Sequence, residues 1–153
     1  MSDTGGTQNP IVLIARAIGL WLRGLVRFGY DPHEAAIEDR QERFEPFRKV
    51  AIDCGAHDAT TPGAIFQVRF RFKNLSPVAN RLLSLIPIPL IVAQPGFRSK
   101  TWLLGNESGD FIGYYEFDSI DEAGAYWDSL PLRMMRRRAA PGTLTKKVES
   151  AAS

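Results

Sequence analysis

The stretch Pro95–Asp118, PGFRSKTWLLGNESGDFIGYYEFD, constrains the fold more than any other part of the chain. Phe97–Leu104 and Phe111–Asp118 read as two strands, and Gly105–Asp110 (GNESGD) between them is turn chemistry. Two strands closed by so short a polar turn pair antiparallel. A helix start follows at once. Ser119-Ile120-Asp121-Glu122 has the S-x-x-E form of a capping box, with Ala123, Tyr126, Trp127 and Leu130 at helical spacing behind it.

A third strand precedes this hairpin. In Ala64–Phe72, AIFQVRFRF, the residues Ala64, Phe66, Val68, Phe70 and Phe72 share one face, and Ile65, Gln67, Arg69 and Arg71 the other. Ser76-Pro77 then offers an N-cap and a first-turn proline, and Val78, Leu82, Leu83, Leu85 and Ile86 supply a helical apolar stripe. Pro87 and Pro89 must interrupt that helix, which leaves Ile86–Val92 as a hydrophobic connector or lid. Beyond the second helix, Pro131 restarts a short basic helix over Leu132–Ala140, and Thr143–Val148 reads as a last strand. The order strand, helix, strand, strand, helix, strand predicts an α+β fold with an antiparallel sheet on the ferredoxin-like βαββαβ plan.

The first sixty residues read differently. Residues 1–9 are polar and Gly-rich, a tail. Residues 10–62 form an extension, with an amphipathic helix expected over 10–30 and a charged helix or linker over 31–62. Between Ile11 and Phe28 every residue is apolar or Gly except Arg16, Arg23 and Arg27. At about 100° per residue those arginines fall in a stripe about 40° wide. With Trp21, they mark a surface for a membrane interface or for a protein partner, and the pattern leaves both open. The barrel domain is expected over 63–148, and 149–153 is a tail.

Composition narrows the function. The net charge of +2 implies no general polyanion surface, and without an aromatic platform motif nucleic acid is not an expected partner. The single Cys54 and an N-terminus without a basic run suggest a cytoplasmic protein, peripheral at the inner face of the membrane if the helix binds lipid. Cys54 and His57 in C-G-A-H have no evident third partner, and with His33 as the other histidine no metal site is expected. No glycine-rich nucleotide-binding run occurs.

The residues Phe66-Gln67-Val68-Arg69-Phe70, Pro95-Gly96-Phe97 with Ser99-Lys100, Gly109 through Phe117, Asp121-Glu122-Ala123 and Tyr126-Trp127 together resemble the dimeric α+β barrel superfamily. Within it they are most similar to the YdhR-like mono-oxygenase family, over roughly Gly63–Val148. The resemblance implies a homodimer with a pocket between each sheet and its helices. It also implies a mono-oxygenase that works on a lipophilic small molecule without a cofactor. A non-catalytic binder of a lipophilic ligand or of a membrane complex, and a polyketide cyclase or isomerase, are the alternatives. Tyr115, Arg69 and Gln67 are the candidate catalytic groups, since a phenol or guanidinium in an apolar pocket can polarise a carbonyl and stabilise an enolate. Phe66, Val68, Phe70, Phe111, Phe117 and Trp127 are the candidate pocket wall. Tyr115 shares its strand face with Phe111, Gly113 and Phe117.

Overall fold

Among the described residues seven strands form one antiparallel sheet, and three of them lie before residue 63. The structure is a computed structural model and describes residues 9–29, 36–52, 63–72, 76 and 87–150. Helix α1 (Pro10–Leu22) is followed by β1 (Val26–Gly29), β2 (Ile37–Asp39) and β3 (Glu42–Ile52). Then come β4 (Ala64–Phe70), the short helix α2 (Ile88–Val92), β5 (Phe97–Gly105) and β6 (Phe111–Phe117). Helix α3 (Ile120–Ala125), a 3-10 turn (Tyr126–Asp128), α4 (Leu130–Arg138) and β7 (Thr145–Ser150) complete the chain.

The strand order is β1-β3-β5-β6-β4-β7, with β2 also paired to β3. Its last four strands, β5-β6-β4-β7, are all antiparallel and reproduce the ferredoxin-like arrangement expected from the sequence. The alternation of β4 does what period two requires. Ala64, Phe66, Val68 and Phe70 are buried, while Ile65, Gln67 and Arg69 are half-buried on the other face. Burying a phenylalanine fully is worth about 1.5–3 kcal/mol, and Phe66 and Phe117 are both fully buried in the main core. The Ser119 cap forms: the Glu122 N–H donates to Ser119 Oγ at 3.2 Å, and Ser119 Oγ in turn donates to the Glu122 carboxylate at 3.0 Å.

The extension departs from expectation in two places. The apolar helix stops at Leu22, eight residues short of Tyr30. Gly24 takes φ +69, its N–H bonds to the Trp21 carbonyl, and the Leu25 N–H bonds to the Leu20 carbonyl. This is a glycine-closed helix end, and it sends Arg27 onto β1, away from Arg16 and Arg23. The charged segment is not helical where it is described. Glu42–Ile52 is a strand that pairs with β5 over most of its length, so residues before 63 are continuous with the ferredoxin-like sheet. Phe44 and Pro46, and Val50 further along, are buried inside the charge-rich run, and that burial outweighs the helix propensity of their Glu and Arg neighbours.

A bulge between Pro46 and Arg48 switches the faces of β3. Before it, Phe44 packs with Leu103 and Ile112 on the second face of the sheet. After it, Val50 joins the main core. The expected helix after Ser76-Pro77, the charged linker around 30–35 and 53–62, and His33, Cys54 and His57 lie outside the described residues. Of the proline-rich connector, Ile88–Val92 is a buried single-turn helix against which α1 packs through Leu13 and Ala17.

Candidate active site

A cavity of about 60 Å³ opens between the sheet and the helices α2 and α4. At about 15 Å³ per water-sized atom it holds a head group of a few heavy atoms. Phe70 from β4, Lys100 and Trp102 from β5, and Phe111 and Tyr115 from β6 form its floor. Tyr126, Leu132 and Met135 wall it, and Pro87, Met134 and Arg138 stand at its rim.

Lys100 is the unusual member. It is 7% exposed, in a site whose other lining is apolar or aromatic except for Arg138 at the rim. Its Nζ lies 4.3 Å from the Trp102 ring centre and 4.8 Å from that of Tyr115. Arg48, opposite Trp102 on β3, places its guanidinium 5.6 Å from the same Trp102 ring. No carboxylate among the described residues forms an ion pair with Lys100. Burial, and secondarily the nearby Arg48 charge, lower its pKa to about 7. The ring faces oppose this, but each favours a desolvated cation by only about 2 kcal/mol. Full burial can shift a lysine by about 3–5 units, or about 4–7 kcal/mol. Burial therefore wins, and near neutral pH much of this amine is uncharged.

Tyr115 and Tyr126 are both buried, with ring centres 4.7 Å apart. Burial pushes both phenols above their ordinary range, so both stay protonated. Their hydroxyls share a hydrogen bond, which favours the Tyr115 phenolate and disfavours that of Tyr126, as expected if Tyr126 donates. Tyr115 then keeps its own proton for a ligand. Gly113 makes room for this pair. A Cβ there would lie 2.9 Å from Tyr115 Cε2, 3.3 Å from its hydroxyl oxygen and 3.4 Å from Lys100 Cε. The phenol ring and the lysine arm thus pack closely over Gly113, where a side chain would displace them.

The sequence-predicted residues divide between two faces. Tyr115, Phe70 and Phe111 line the cavity. Phe66, Val68 and Phe117 lie on the same face but are packed into the core beneath it, and Trp127 is half-buried beside Lys146 and Arg136 outside it. Arg69 and Gln67 do not converge with Tyr115, because odd positions of β4 point through the opposite face. Arg69 is taken up there by three carboxylates: Asp39 at 2.7 Å, Asp110 at 2.9 Å and Glu42 at 3.2 Å. Glu42 also accepts from the Ser108 and Glu107 N–H groups and from Ser108 Oγ. Burial pushes the Glu42 carboxyl up, but these bonds and the Arg69 charge outweigh it and hold it below the usual range. This cluster ties the β2–β3 hairpin and the β5–β6 turn to β4; it is a clasp. Among the described residues no three His, Cys, Asp or Glu side chains gather to hold a metal.

Lys100 is the residue that sequence reasoning passed over. Its signal is the parity it shares with Trp102 and Leu104. A bulge between Phe97 and Ser99 masks that signal, because it brings Lys100 onto the same face as Phe97 despite their odd spacing.

No family model matches the chain, and no curated protein matches it. Among solved structures it is similar to one described as an anthrone oxidase-like protein. The sequences are 20% identical, the TM-score is 0.47, and the match covers 73% of this chain. The chain spans 57% of that protein's length.

Proposed function

We propose that the protein is a cofactor-independent oxygenase for a lipophilic molecule bearing an acidic C–H or phenol group, with Lys100 as the base. The single observation that carries this is the buried, carboxylate-free amine on the wall of an apolar cavity. A neutral amine with a pKa near the working pH is well matched to proton abstraction. The ammonium so formed and the Tyr115 O–H then stabilise the substrate anion, in a dry site where such interactions are strong. Dioxygen takes up the electron pair of that carbanion, a C–O bond forms, and the peroxide oxygen recovers a proton from Lys100. Removal of a second C–H proton by Lys100 breaks the O–O bond. The carbon becomes a carbonyl, and the departing hydroxide takes a proton and leaves as water. The net change is CH2 plus O2 to C=O plus water.

Oxygen uptake on a panel of polycyclic phenols and benzylic carbon acids tests this. The wild-type chain consumes oxygen and the Lys100→Met chain loses at least about 10²-fold in rate. An equal rate in Lys100→Met overturns the assignment. Conversion without oxygen uptake would instead mark a cyclase or isomerase, and saturable binding without conversion a ligand carrier.

The exposed side of α1 fits a lipophilic substrate. Ile11 is 75% and Leu22 84% exposed, with Ile14, Ile18 and Trp21 also uncovered. Arg16 on this helix and Arg23 at its C-cap are exposed, and the helix has no acidic residue. We take this surface to rest on an anionic membrane interface. No helix among the described residues is long and apolar enough to cross a membrane. The homodimer implied by the resemblance belongs to the same proposal, and sedimentation equilibrium of the full chain reads it.

A further inference from the structure

Lys100 has a second reactivity that does not involve oxygen. A buried amine without a carboxylate partner is a nucleophile as well as a base. Its surroundings meet the three needs of addition to a carbonyl. The cavity has room for a carbonyl head and a few carbons among Phe70, Phe111, Leu132 and Met135. The rim at Met134 and Arg138, both exposed, leaves a way out for a longer chain. The third need is a proton donor beside the nitrogen, and Tyr115 provides it. Its ring centre lies 4.8 Å from Lys100 Nζ, and its ring and Lys100 Cε pack together over Gly113, where no Cβ intervenes.

We propose that Lys100 captures apolar aldehydes or ketones in this cavity as an imine. The nitrogen lone pair attacks the carbonyl carbon, forming the C–N bond, and the carbonyl oxygen takes the Tyr115 proton. The carbinolamine then loses its hydroxyl group as water. Tyr115 regains a proton from the nitrogen after the addition, gives it to the departing hydroxyl, and is restored by the second nitrogen proton as the C=N bond forms. No oxidant or reductant is consumed. The exposed Lys146 and Lys147 lack such a site.

The proposal rests on the cavity and the amine, not on the oxygenase reading. Its test is reductive trapping on the full-length wild-type chain. The protein is mixed with hexanal and cyanoborohydride near pH 7, and the product is read by intact mass and peptide mapping. The expected result is one hexyl group, at Lys100, with labelling that rises to half its maximum near pH 7. Tyr115→Phe should slow that labelling about 10²-fold. Label spread over the exposed lysines without preference, or none at Lys100, overturns the proposal, and an unslowed Tyr115→Phe overturns the role given to Tyr115. Trapping at Lys100 with no oxygen uptake on any carbon acid leaves imine capture standing and removes the oxygenase reading; uptake without trapping does the reverse.

Discussion

Lys100 lowers the stability of the folded chain, and the sign of that effect gives a test. Its folded pKa, about 7, lies below the 10.5 of an ordinary lysine. Between those values the unfolded chain binds the proton and the native chain does not, so stability rises with pH across that window. Below it both states are charged and the full burial penalty is present. Lys100→Met should therefore be more stable than wild type by several kcal/mol below pH 7, with the difference shrinking toward pH 10. Urea denaturation at several pH values reads this, and a pH-independent difference would contradict it. Gly113→Ala addresses the same pocket. Its Cβ would press on Tyr115 Cε2 from 2.9 Å, so a loss of about 1–3 kcal/mol is expected in thermal unfolding. The polar chemistry was the least legible part of the sequence for a reason visible at single residues. Tyr115 could be placed from the alternation of β6, which is regular, whereas Lys100 could not be placed from β5, whose bulge at Arg98 resets the count.

At the scale of elements, the βαββαβ order was legible because each element carries a local signal. These are the alternation of β4, the GNESGD turn and the Ser119–Glu122 capping box. β3 was not legible, because its register is set by what it pairs with. Its acidic and basic residues favour a helix locally, and the pairing with β5 and the burial of Phe44 and Val50 override them. The end of α1 was legible in principle from Gly24. The clasp around Arg69 predicts how the added strands are secured. Arg69→Met leaves Asp39, Glu42 and Asp110 without their common cation, so stability at neutral pH should fall by about 3–5 kcal/mol in chemical denaturation. A change below 1 kcal/mol would show that the β2–β3 hairpin is held by its apolar contacts alone. Glu42 adds a pH dependence of known direction. Its lowered pKa contributes stability that is present above the usual carboxylate range and lost as pH falls through the folded value.

For the whole molecule, α1 and the cavity are mechanically connected. Leu13 and Ala17 pack into the same core as α2, and α2 supplies Ile91 to the cavity wall. A surface that rests on lipid would thus sit one helix away from the site of reaction. Removing the first thirty residues would also remove β1, so the sound test changes side chains only. Ile18→Glu with Trp21→Glu should abolish flotation with anionic liposomes while leaving the circular dichroism of the sheet unchanged. Undiminished flotation would contradict the membrane role of this helix.

Both proposed reactions require that the Lys100 amine be largely neutral near physiological pH inside an apolar, aromatic cavity. The direct measurement is the ionisation of that one side chain, followed through its Cε resonance by NMR with selectively labelled lysine and assigned against Lys100→Met. The account predicts a midpoint near pH 7 for Lys100. A Lys100 midpoint near 10 would contradict it, because the amine would then be an ammonium ion at neutral pH, unable to take a proton or attack a carbonyl.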